Sequence, residues 1–172
     1  MSSTKPNVGA QIEEMSFPCV GRSQSITIGQ QKERWTMVFV YRGKHCPRCK
    51  RFLNKLNAAL SSWNAVLDVI VVSADTETKA KADKEEFGWS FDLCYGMSEA
   101  QMRTLGLYVS APLSEAETTG LFAEPGTFGI RPNGTLMLAE ISNGPAARPD
   151  LEELLDGMKF NIENNRPERG TA

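Results

Sequence analysis

An α/β domain built on a mixed central sheet with helices on its faces is the fold class this sequence predicts, and three observations predict it. Two near-continuous β-branched and aromatic runs, Trp35-Thr36-Met37-Val38-Phe39-Val40-Tyr41 and Val66-Leu67-Asp68-Val69-Ile70-Val71-Val72-Ser73, read as buried strands. Between them Phe52, Leu53, Leu56 and Leu60 recur at helical spacing, so the three segments form a βαβ unit with parallel strands. Further on, Pro125 to Ile130 and Thr135 to Ile141 flank Arg131-Pro132-Asn133-Gly134. Asn and Gly tolerate the positive φ of a tight turn, which predicts an antiparallel hairpin.

A chain of 172 residues with ordinary hydrophobic and charged content fits one domain with a sizeable core. Residues 1 to 14 are expected to be a mobile arm, since the opening stretch is small and polar without periodicity, and 15 to 172 a single domain. Phe17-Pro18-Cys19-Val20-Gly21 and Ser25-Ile26-Thr27-Ile28, broken by Gly29, predict an N-terminal β extension. Pro47 suits the first turn of the helix after the Trp35 strand, where a missing N–H costs nothing. Asp75 or Thr76 caps a charged helix running to Phe87 and ended by Gly88, with substrate contact a second reading of Asp75. A third strand over Ser90 to Tyr95, a helix from Ser98 to Leu105 and a long loop from Leu107 to Phe122 follow. Leu151, Leu154, Leu155, Met158 and Phe160 give the last helix its apolar face. Cys19, beside Pro18, and Cys94, inside an apolar stretch, read as small buried hydrophobes.

Net charge is −2, which gives no overall attraction to nucleic acid. No apolar stretch approaches the roughly 20 residues that span a bilayer, and the N-terminus has no leader-like pattern, so the expected location is cytoplasmic, with no membrane partner. Four cysteines are too few for a disulfide-built scaffold, and a reducing compartment keeps a C-x-x-C pair in turnover. That pair is Cys46 and Cys49. Cys46 sits where a strand ends and a helix begins, and the N–H groups and dipole there stabilise a thiolate. Arg42, Lys44, Arg48, Lys50, Arg51 and Lys55 surround it with no Asp or Glu between 42 and 55, which also pushes its pKa down. Spacing alone also fits a structural pair or half of a zinc site. Zinc needs four ligands, and only Cys19, Cys94 and His45 are candidates beyond the pair. The strand-then-helix position favours redox chemistry.

The order of elements resembles the thioredoxin fold. Tyr41-Arg42-Gly43 to Cys49, Val71 to Asp75, Gly106-Leu107-Tyr108, Pro125-Gly126-Thr127-Phe128 and Ser142 to Pro149 are together similar to the peroxiredoxin-like, AhpC/TSA-type redoxins. The resemblance covers roughly residues 15 to 170 and implies a thiol oxidoreductase acting on disulfides or hydroperoxides. It implies Cys46 as nucleophile, Cys49 as resolving thiol, and Pro125 as a cis proline packed against them. Peroxiredoxins carry Pro-x-x-x-Thr-x-x-Cys, whereas here Phe39 and Gly43 occupy the Pro and Thr positions. Arg42 or Arg148 would stand in for the usual arginine, and His45, where thioredoxins usually have tryptophan, would as a cation stabilise the thiolate. No cofactor or metal is implied. The reductant would be thioredoxin-like or glutathione, and a homodimer through a sheet edge or loop is compatible with the family. A non-catalytic redoxin module that binds a partner is the alternative.

Overall fold

In the computed structural model, which describes residues 5–172, the chain opens on an antiparallel ribbon of β1 (Met15–Phe17) and β2 (Ile26–Ile28). β3 (Thr36–Val40) follows and is buried at every position. α1 (Pro47–Ala58) and α2 (Leu60–Asn64) lead to β4 (Asp68–Val72), which pairs parallel with β3 in the register Val40 to Val72. The single helix expected here breaks at Ala59, and the turn lets Trp63 reach Phe39 edge-on at 5.4 Å between ring centroids. α3 (Glu77–Phe87) is capped by Thr76, whose hydroxyl accepts from Lys79 N, and ends on left-handed Gly88. β5 (Asp92–Cys94) extends the parallel set, and α4 (Glu99–Thr104) starts at a Ser98–Gln101 capping box. The segment expected to be a long loop carries a short ladder at its root, β6 (Val109–Ser110) against β7 (Phe122–Ala123). β8 (Gly126–Ile130) and β9 (Leu136–Ile141) form the hairpin, and α5 (Leu151–Glu163) closes the chain behind the Asp150 cap.

The main sheet has the order β5-β4-β3-β8-β9 and is mixed, as β8 runs antiparallel to β3. Side chains alternate between two cores. Met37, Phe39, Val69 and Val71 pack with Leu53, Trp63, Leu155 and Met158 on one face. Val38, Val40, Ile70 and Val72 pack with Phe17, Ile28, Met102 and Leu105 on the other. The C-terminal ends of β3 and β4 therefore emerge between covered faces, at the N-terminus of α1. Among the described residues no helix is long and apolar enough to cross a membrane.

Two further contacts lie beyond the sequence-based expectations. The arm expected over 1–14 begins with residues 1–4, which lie outside the described residues, but its later part is hydrogen-bonded to the hairpin. Gly9 N donates to Leu136 O, Leu136 N to Ala10 O and Ile12 N to Gly134 O, because Gln11 pairs with Thr135 across the edge of β9. Cys19 and Cys94 are buried as expected, yet they are bonded to each other, since the 18–20 segment lies antiparallel to β5 and brings the two residues opposite one another. A link spanning 75 residues restricts the unfolded chain. Cys19→Ala is expected to cost about 2–4 kcal/mol, lowering Tm by roughly 5–15 °C in a thermal melt without reductant.

Candidate active site

Cys46 is the N-cap of α1: its Sγ accepts from Cys49 N at 3.3 Å, and Pro47 occupies the first turn as expected. The cap places both sulfurs together, and burial takes both out of water, with Cys46 1% and Cys49 0% exposed. Their ionisation diverges. The Cys49 thiol donates to Cys46, Cys49 N adds a second hydrogen bond, and the Arg42 guanidinium, 4.0 Å away, adds a third contact with its charge; against burial these bring the Cys46 pKa down to about 6. The same bond to Cys46, with burial, holds Cys49 far above the ordinary thiol range. At neutral pH the pair is a thiolate at 46 and a thiol at 49.

The basic setting is narrower than the sequence implies. Lys44 Nζ lies 2.9 Å and Lys50 Nζ 3.6 Å from a carboxylate oxygen of fully buried Asp83 on α3, so these cations are spent on a structural ion pair. The two arginines are what reach the sulfurs. Arg42 lies over the Phe122 ring, with its Nε 3.2 Å from Glu124 and its Nη2 3.2 Å from Glu117. Glu117 belongs to the irregular segment 111–121 between β6 and β7, which is also held by Lys79 Nζ donating to Thr118 Oγ1 at 3.2 Å. Arg148, just before α5, puts Nη2 2.9 Å from Cys49 Sγ and lies over the Phe52 ring at 4.6 Å. His45 is the exception. It packs edge-on to Phe122, and burial, followed by the nearby Arg42 charge, lowers its pKa, so the cation expected to support the thiolate is disfavoured there. Pro125 lies one residue beyond the Val40–Gly126 pair, at the cysteine end of the sheet, but it is trans: no cis peptide occurs among the described residues. Its carbonyl accepts from Ser142 N, a bond to the 142–149 segment that needs no cis geometry.

The AhpC/TSA family model matches residues 8–139. The chain belongs to the AhpC/TSA family. Among solved structures it is similar to a peroxiredoxin-like protein from Aquifex aeolicus, with a TM-score of 0.75 at 19% identity, over 92% of this chain and 90% of that one. A reduced 2-Cys peroxiredoxin of Plasmodium vivax gives 0.75 at 13%, over 92% and 98%. The bacterioferritin comigratory protein of Xanthomonas campestris, whose structures concern alkyl peroxide reduction, gives 0.68 at 16%, over 96% and 99%. No curated protein matches the sequence. These likenesses establish the thioredoxin-like fold of the peroxiredoxins for this AhpC/TSA member.

Against the AhpC/TSA background Gly43 acquires a physical explanation. Its φ is +129°, a region L side chains rarely adopt, and a Cβ there would lie 2.8 Å from Asp75 Oδ1. Asp75 does not cap α3. It turns inward from the end of β4, and its Oδ2 accepts from Lys44 N at 2.7 Å, fixing the loop that carries His45 and Cys46. Backbone and carboxylate both exclude a threonine at 43. Gly43→Ala is expected to destabilise the protein by about 2 kcal/mol or more, measured by denaturant unfolding at unchanged m.

Sequence reasoning did not find Asp75 as a partner of the cysteine loop, nor Glu117 and Glu124 as partners of Arg42. The parallel pairing of the two β-branched strands was a usable signal for Asp75, because it places residues 73–75 beside residues 41–43. For Glu117 no signal exists in a segment without periodicity.

Proposed function

We propose that the chain is a thiol-dependent oxidoreductase working through Cys46 and Cys49. The observation that carries the reading is the opposed ionisation of two sulfurs one helical turn apart. At neutral pH Cys46 needs no base. Its thiolate attacks one sulfur of a disulfide RS–SR′, forming Cys46–S–S–R and expelling R′S⁻, which takes up a proton. Cys49 then releases its proton to solvent and attacks Cys46 Sγ, expelling RS⁻ and closing the Cys46–Cys49 bond. A thiol reductant, thioredoxin-like or glutathione, returns the pair to the dithiol.

Disulfide exchange is favoured over peroxide because Gly43 leaves no hydroxyl three residues before the nucleophile. Hydroperoxide is the second reading, favoured by Arg42 beside the Cys46 sulfur and by the activity of the Xanthomonas protein. In that case the thiolate attacks the distal oxygen, the O–O bond breaks and expels RO⁻, which takes a proton from solvent to become ROH, and Cys49 condenses with the Cys46 sulfenic acid, releasing water. Stopped-flow oxidation of the reduced protein by a model disulfide and by hydrogen peroxide tests both. The disulfide is expected to react well above the rate of free cysteine. Peroxide oxidation no faster than that of free cysteine removes the second reading, and no acceleration with either oxidant removes the oxidoreductase.

A further inference from the structure

The two sulfurs answer to different arginines. Arg42 stands 4.0 Å from the Cys46 sulfur and is itself compensated by Glu117 and Glu124. Arg148 stands 2.9 Å from Cys49 Sγ, and stacking on Phe52 holds the plane of its guanidinium. Among the described residues Arg148 makes no ion pair within 4.0 Å, and its Nε is buried without a partner. Glu140 on β9 interacts with it from further off, and burial holds that carboxyl above its ordinary range. A partly buried guanidinium without a paired carboxylate favours negative charge on the group it touches, and here that group is a sulfur.

In the reduced pair this pull is overruled. The hydrogen bond to Cys46 is the first cause that holds the Cys49 proton, burial is the second, and the Arg148 charge opposes both. The balance changes once Cys46 has reacted. A mixed disulfide or sulfenic acid at 46 is no longer a thiolate, so the leading cause is gone. Burial still raises Cys49, while Arg148 and, after it, the Arg42 backbone still lower it. No other ionisable neighbour takes over that part. Tyr41 at the end of β3 is buried and held neutral, and Asp83 on α3 is engaged by Lys44 and Lys50.

We propose that Arg148 is the catalytic residue of the resolving step, silent while Cys46 is a thiolate and stabilising the Cys49 anion once Cys46 has been consumed. The inference rests on the oxidoreductase reading and gives the second half of that reaction a residue of its own. With RS on Cys46, the Cys49 proton passes to solvent and Arg148 pairs with the sulfur anion. That anion attacks Cys46 Sγ, the Cys46–Cys49 bond forms, and RS⁻ leaves with the electrons of the Cys46–SR bond and takes a proton from water.

Dithiodipyridine separates the two steps, because each releases one absorbing thiopyridone, and as a neutral disulfide it offers Arg148 no charge to bind. The full-length reduced protein is mixed with one equivalent in a stopped-flow cell. Arg148→Gln is expected to slow only the second release, by about tenfold at pH 7. A Cys49 midpoint raised by about two units lowers the anion about a hundredfold, and the greater nucleophilicity of the more basic thiolate returns about tenfold. Arg148→Lys, which keeps the charge and loses the planar stack, should fall between. In the Cys46→Ser background the ultraviolet thiolate absorbance of Cys49 should titrate about two units higher when Arg148→Gln is added, a shift that a purely structural role does not give. An unslowed second release, equal slowing of both releases, or an unmoved Cys49 midpoint overturns the inference and leaves the oxidoreductase standing. If Arg148→Gln does not fold, Arg148→Lys decides by the same two readings. A wild-type protein that makes no second release, or a first one no faster than free cysteine, removes the oxidoreductase reading first and this one with it.

Discussion

Cys46→Ser is expected to lose turnover by a factor on the order of 10³ or more, whichever of disulfide and hydroperoxide is supplied. The reason lies in the split of the pair. Only Cys46 is held as thiolate, and the thiol left in the variant, Cys49, is still raised by its burial even without the bond to Cys46. Cys49→Ser should behave differently. It should react once and stop, holding one oxidising equivalent as a mixed disulfide or sulfenic acid on Cys46, visible as a mass increment that reductant removes. Retained activity in Cys46→Ser, or several turnovers in Cys49→Ser without added thiol, rejects the two-cysteine scheme.

Alkylation of Cys46 by iodoacetamide is expected to titrate with a midpoint near pH 6. Removing the leading stabiliser should move it furthest. Cys49→Ala deletes the hydrogen bond from the Cys49 thiol and should raise the midpoint by about two units, whereas Arg42→Met, which deletes a longer contact and a partly compensated charge, should raise it by about one. Both variants should reach the wild-type plateau at high pH, because nucleophilicity of the formed thiolate varies much less than its population. The shift also ties stability to pH. The Cys46 thiol titrates near its model value of 9.0 when unfolded and near 6 when folded. Between those values the unfolded chain keeps a proton that the folded chain has lost. The contribution of Cys46 to the stability of the reduced protein should therefore rise as pH goes from 6 to 9 and be lost as pH falls through 6, whereas above 9 Cys49, which keeps its proton only when folded, turns the slope downward. His45, lowered by burial, adds to the rise in the acidic part of that range. A flat unfolding free energy across that window contradicts the charge assignment at Cys46.

Local rules govern the parts of the fold that were legible in the residues. The β3–α1–β4 unit follows from two β-branched runs and one amphipathic period, the hairpin from Pro132-Asn133-Gly134, and α5 from its apolar stripe behind Asp150. The junction that makes Cys46 an N-cap was readable for the same reason, since Pro47 marks the first helical turn. What was hidden depends on contacts far apart in the chain. Cys19 meets Cys94 only because the 18–20 segment lies along the outer edge of β5. The compensation of Arg42 comes from residues 75 and 82 positions away, and the capture of Lys44 and Lys50 comes from one aspartate on α3. Arg148 was legible as a candidate through family resemblance, but its neighbour Cys49 was visible only in three dimensions.

The contact between Gly43 and Asp75 bears on how such a site can change over generations. A threonine arriving at 43 meets a forbidden backbone region and an occupied volume at once. A small residue arriving first at 75 leaves Lys44 N without its acceptor and frees the loop before any benefit accrues. Each single step runs downhill in stability, so the two positions are separated from the threonine-bearing arrangement by a valley that needs at least two coordinated replacements and a reset of the loop. A carboxylate at the end of this strand thereby ties position 43 to glycine, since backbone and occupied volume must both change before a larger side chain is admitted there.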